Sequence, residues 1–158
     1  MSKQLIKSPI VAMLLGLTTV LATSGPAQAE KRTFTIAALE PRGGANIDQE
    51  PFPTEPLPTG PGYVLNKPDQ TGRWEVVVYL LAPSQVIVNQ DDDVTLNFAG
   101  INGKSHPLTI AGYDKSFEVK RGHVTEISFK ADKPGVFLIE CHTHTPSMKA
   151  ELVVLPRR

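Results

Sequence analysis

The hydrophobic and polar positions of this chain follow the two-residue period of half-buried strands. Thr33-Phe-Thr-Ile-Ala-Ala-Leu39 alternates, and Trp74-Glu-Val-Val-Val-Tyr-Leu-Leu81 is a β-branched and aromatic run bounded by Gly72 and Pro83. Gln85-Val-Ile-Val-Asn89 follows as another strand. Gln90-Asp-Asp-Asp93 then leads into the alternating Val94-Thr-Leu-Asn-Phe98, so its aspartates read as a solvated hairpin turn in preference to a hard-cation site. His106 opens the strand Leu108-Thr-Ile110. Phe117-Glu-Val-Lys-Arg-Gly122 and Val124-Thr-Glu-Ile-Ser-Phe129 are expected to pair as a hairpin around Arg121-Gly122. Lys133-Pro-Gly135 turns the chain into Val136 to Cys141, and Lys149-Ala-Glu-Leu-Val-Val-Leu155 closes it. Short strands between turns, with no helical pattern of useful length, predict an all-β fold, an antiparallel β-sandwich.

Two stretches break this pattern. Lys3 and Lys7 precede the apolar run from Ile10 to Ala22, and Ser24-Gly-Pro-Ala-Gln-Ala29 ends in an Ala-x-Ala site. That sequence of features predicts a secretory signal over residues 1–29. The apolar run is shorter than the ~18 to 20 residues a spanning helix needs, so no membrane span is expected after cleavage. Export is expected, to a periplasm, a thylakoid lumen or the extracellular space. The second break, Pro41 to Gly62, holds Pro51-Phe-Pro-Thr-Glu-Pro-Leu-Pro58 and predicts a long surface loop packed over one edge of the domain. The expected organisation is therefore a leader at 1–29, an N-terminal strand and Pro/Gly-rich loop at 30–72, and a core at 73–158.

Removing the leader takes away two lysines and no acids, leaving 14 basic (16 − 2) against 16 acidic residues. That balance, without any basic run, argues against a nucleic-acid partner. The chemistry concentrates in Cys141-His-Thr-His-Thr-Pro-Ser-Met148. Cys141 is the chain's one cysteine, and Met148 is the one methionine outside the leader. A lone thiol in an oxidising compartment is a liability unless it is buried or bound. Thiolate, imidazole and thioether favour copper over calcium or magnesium, and a trigonal His₂Cys site with a long axial Met is the blue-copper arrangement. The segment lacks one histidine for that set, and His106 is the leading candidate. Neighbours on a strand face opposite sides, so an inward Cys141 sends Glu140 and His142 outward. His142 therefore reads as a surface residue and His123 as a turn residue.

From about Val76 to Leu155 the chain resembles the cupredoxin family, single-domain blue-copper proteins such as plastocyanin, pseudoazurin and amicyanin. The resemblance rests on Pro83-Ser-Gln-Val-Ile-Val, on Phe117-Glu-Val-Lys-Arg-Gly and on Ala131-Asp-Lys-Pro-Gly-Val-Phe. Its specific part is a His at the start of a mid-domain strand, then Cys-x₂-His and a following Met. It implies a Greek-key β-sandwich with one type 1 copper held by His106, Cys141, His144 and Met148. Glu140 stands where plastocyanin-type proteins have a tyrosine, which leaves the imidazole edge of His144 as the expected electron port. The function implied is single-electron carriage between redox proteins by a monomer that is not an enzyme. Two alternatives stand beside it: a copper-handling protein that binds or delivers the ion, and a copper enzyme like nitrosocyanin, which the domain also resembles. A binuclear centre of the oxidase type would need two cysteines and a trinuclear cluster eight histidines, against one cysteine and four histidines here.

Overall fold

The computed structural model describes residues 28–57 and 62–157, so nearly all of the predicted leader lies outside the described residues. Twelve strands follow in order: β1 (Lys31–Leu39), β2 (Arg42–Asn46), β3 (Tyr63–Asn66), β4 (Arg73–Val78), β5 (Leu80–Ala82), β6 (Gln85–Asn89), β7 (Asp93–Gly100), β8 (Ser105–Ile110), β9 (Lys115–Lys120), β10 (Val124–Lys130), β11 (Gly135–Cys141) and β12 (Lys149–Leu155). One sheet has the order β10-β7-β1-β5, a second β6-β12-β11-β8-β9, and a small third sheet β2-β4-β3. The all-β sandwich is as expected. Most pairs are antiparallel, but β1 runs parallel to β7 and β12 parallel to β6.

Alternation along the strands builds one core between the two larger sheets. Ile36, Leu96 and Phe98 from the first sheet meet Leu108, Ile110, Ile139 and Leu152 from the second, all buried. Each such side chain contributes about 1.5–3 kcal/mol by leaving water. β1 sits between β7 and β5, as an interior member of its sheet.

Four expectations need correction. The Pro/Gly-rich stretch is not all loop, because β2 lies within it and β3 begins at its end, and both flank β4. Arg42-Gly-Gly-Ala-Asn46 has no apolar alternation to betray it, since it pairs through its backbone. At Gly44 a Cβ would stand 2.9 Å from the Cα of Glu75, a fit open only to glycine. The run from Trp74 to Leu81 is two strands: β4 belongs to the small sheet, β5 to the sandwich, and the chain crosses between them at Tyr79. The expected hairpin of β9 with β10 does not form either. β9 pairs with β8 and β10 with β7, so the turn at Gly122 links two sheets.

The aspartate turn, finally, is not simply solvated. Asp92 is fully buried and accepts hydrogen bonds from the Glu30 N–H at 3.0 Å, the Asn89 N–H at 2.9 Å and Arg32 Nε at 3.2 Å. Burial alone would raise the Asp92 carboxyl, but these donors and the Arg32 charge outweigh it and hold the pKa below the ordinary value.

Candidate metal centre

The centre is assembled from two strands and one loop. On β8 the buried positions alternate, so His106 points inward with Leu108 and Ile110. His106 is fully buried, and its Nε2 lies 2.9 Å from the backbone carbonyl of Asn102. A carbonyl only accepts, so Nε2 carries the hydrogen and Nδ1 presents a lone pair. That Nδ1 is buried with no hydrogen-bond partner. An unsatisfied buried acceptor costs about 1–3 kcal/mol, a cost that a metal ligated there removes.

β11 delivers Cys141, a free thiol with no solvent exposure, to the same end of the sandwich. The chain then winds into a compact loop. The carbonyl of His144 accepts the N–H groups of Ser147 and Met148 at 3.1 and 2.9 Å, and the Ser147 hydroxyl at 2.8 Å. The Cys141 N–H donates to the Met148 carbonyl at 2.9 Å and closes the loop. This winding returns the His144 ring to the thiol, with Nδ1 3.6 Å from Cys141 Sγ. One donor atom each from His106, Cys141 and His144 lies within 4.8 Å of the others.

Met148 is fully buried in the same apolar cluster as Cys141. His142 is exposed and Glu140 half-buried on the strand that delivers the thiol, and His123 is exposed at its turn. Burial holds the His144 imidazole below the ordinary histidine pKa, Glu40 acts against that shift, and His106 adds to it. The neutral ring is the metal-binding form. A cysteine sulfur and two imidazoles gathered within 4.8 Å of one another, with Cys141 and His106 fully buried, fit copper.

Three residues at this site carried no signal in the sequence reading. Glu40 and Tyr79 sit where the chain crosses between the sandwich and the small sheet, and the pairing of Leu39 with Leu80 places them side by side. Glu40 Oε1 lies 3.7 Å from His144 Nε2, and the Tyr79 ring stacks on the imidazole at 4.2 Å between centroids and 8° between planes. Asn102 is the third, through its carbonyl on His106 and its side chain on Glu40. The His144 edge is therefore not the bare edge expected of it. Its side chain is 17% exposed, reached through a surface recess of about 370 Å³ bordered by Gly62, Tyr63, Val64, Tyr79 and Thr143. The only cue was an acidic residue ending an apolar run at Leu39, which a strand terminus explains equally well.

No family model matches the sequence. The chain is 28% identical over 145 residues to nitrous-oxide reductase of Ralstonia nicotianae, a match covering 85% of this chain and 22% of that protein. Its fold is similar to that of a multicopper oxidase, with a TM-score of 0.52 at 17% identity, covering 82% of this chain and 40% of the other. It is also similar to copper nitrite reductase from Nitrosomonas europaea, with a TM-score of 0.51 at 17% identity, over 80% of this chain and 42% of that one. The chain thus spans less than half the length of each. The fold it shares with these two structures is the cupredoxin sandwich that the sequence resembles.

Proposed function

We propose that this protein binds one copper ion through His106, Cys141 and His144, with Met148 as a further, weaker donor, and carries single electrons between redox proteins in an exported compartment. The observation that carries this reading is the orphaned Nδ1 of His106, buried beside the free Cys141 thiol and a second imidazole. Bound copper would supply a one-electron couple and a strong visible band from its thiolate ligand. The chain's own part is to hold the donors still. β8 fixes one imidazole, the end of β11 fixes the thiol, and the hydrogen-bonded loop fixes the other imidazole, so the frame has little to rearrange between oxidation states. Burial of Cys141 and His106 keeps water and substrates from the donors, which favours a carrier over a catalyst. The leader motif at 1–29 supports export, and the recess beside Tyr79 and His144 is the route by which a partner gains closest access.

Copper titration followed by absorbance and electron paramagnetic resonance tests the assignment. One equivalent should give an intense blue band with narrow copper hyperfine splitting. Cys141→Ser should abolish the band and lower copper(II) affinity severely, while His142→Ala, at an exposed position, should leave the spectrum intact. A red or colourless copper(II) protein, or a blue and fully loaded Cys141→Ser variant, would refute the carrier reading.

A further inference from the structure

We propose that Glu40 is a resident anion for the centre, clamped by Asn102 against the outer nitrogen of His144, where it fixes the ring tautomer and lowers the reduction potential. The inference rests on the copper reading, and its test separates the two. Glu40 is 8% exposed, an unusual position for a carboxylate, and among the described residues its one ion-pair partner is the His144 ring. Its backbone is held from both sides by one side chain: Asn102 Oδ1 accepts the Glu40 N–H at 2.7 Å, and Asn102 Nδ2 donates to the Glu40 carbonyl at 2.6 Å. The same residue's carbonyl takes His106 Nε2 at 2.9 Å. Asn102 thus orients one imidazole directly and the other through Glu40.

Room for the carboxylate comes from Gly103, where a Cβ would stand 2.7 Å from Glu40 Cδ and 2.8 Å from His106 Cε1. Because Nδ1 of His144 faces the thiol, Nε2 is left to face Glu40, and a carboxylate there selects the Nε2–H form. Carboxylates behind metal-bound histidines fix ring orientation and raise ligand basicity. A negative charge in a poorly screened site also favours the more highly charged copper(II) over copper(I).

Two measurements on the whole protein decide it. In the metal-free protein, nitrogen NMR of the His144 ring should show the Nε2–H tautomer, and Glu40→Ala should give a mixture. In the copper protein, Glu40→Gln keeps shape and an acceptor oxygen but removes the charge. Its copper(II) affinity relative to copper(I) should fall about tenfold, an upward shift of about 59 mV, with the blue band retained. Glu40→Asp, which restores the charge, should return the potential toward that of the wild type. An unchanged potential in Glu40→Gln, or an Nδ1–H tautomer in the metal-free wild type, overturns the proposal. Failure to bind copper at all would instead overturn the carrier reading, while the tautomer measurement still tests the clamp.

Discussion

Gly103→Ala tests how tightly the centre is packed from outside. Gly103 has φ of +81°, a left-handed conformation that costs an L-residue about 1–2 kcal/mol. The new methyl would also press on Glu40 Cδ at 2.7 Å and His106 Cε1 at 2.8 Å. The imidazole cannot retreat freely, because its Nε2 is held at 2.9 Å by Asn102, and the carboxylate has only an 11% exposed side chain to move. Overpacking of this kind adds about 1–3 kcal/mol, for roughly 2–5 kcal/mol in all. At about 4 °C per kcal/mol for a domain of this size, Tm should fall by roughly 8 to 20 °C. Gly122→Ala is the matched control: its φ is +77°, but a Cβ there has no neighbour within 4 Å. It should show the conformational cost alone, roughly 4 to 8 °C. Thermal and urea unfolding of both variants gives the difference. Equal losses would mean that Glu40 and His106 are not packed against Gly103, and would refute the described geometry around the centre.

Two further predictions concern the axial donor and the buried carboxylate. Met148→Leu exchanges one fully buried apolar side chain for another of similar volume, so stability should fall by less than about 1.5 kcal/mol. The copper protein should stay blue and its potential should rise, since loss of a donor destabilises copper(II) more than copper(I); voltammetry showing an unchanged or lower potential would remove Met148 from the ligand set. Asp92→Asn should cost about 2–4 kcal/mol at neutral pH, because the amide nitrogen cannot accept the bonds that the carboxylate takes from Glu30, Asn89 and Arg32. The Asp92 pKa is lowered by folding, so its stabilisation is complete above the unfolded value near ~3.9 and is lost as pH falls through the lower folded value. Urea midpoints of wild type and variant should therefore converge in acid, below about pH 4; a gap that persists there would assign the loss to packing.

The parts of the molecule legible in the sequence are those where burial is one-sided. Period-two alternation marks Ile36, Leu96, Phe98, Leu108 and Leu152 as inward whatever their strands pair with, so the sandwich could be read. Alternation does not say which sheet a strand joins, so it suggests a β9–β10 hairpin although the two strands belong to different sheets. Nor does it register a strand such as β2, whose glycines pair by backbone against β4 and bury almost nothing of their own. Trp74 shows the same limit from the other side. Its run reads as one strand, yet its ring is buried by the edge of Phe52 at 5.7 Å and by a hydrogen bond to the Glu50 carbonyl at 2.8 Å, both from the stretch read as loop.

The site divides along the same line. The thiol and the inner nitrogens of His106 and His144 follow from spacing: a strand position, a Cys-x₂-His loop and a return to Met148. What meets the outer nitrogen of His144 depends on tertiary register, whereas that of His106 meets the nearby Asn102 carbonyl. Glu40 and Tyr79 are thirty-nine positions apart (79 − 40), and only the pairing of Leu39 with Leu80 sets them together over His144. The small sheet is what holds that pairing's ends in place, since the Val78 N–H donates to the Pro41 carbonyl at 2.9 Å just beyond both crossings. The inner half of the centre thus depends on the sandwich and sets which metal fits, while the outer half depends on the added sheet and sets the field around it. Substitutions in the added sheet should then alter potential and partner access before they alter metal choice, because the residues they move touch His144 from the side away from the thiol.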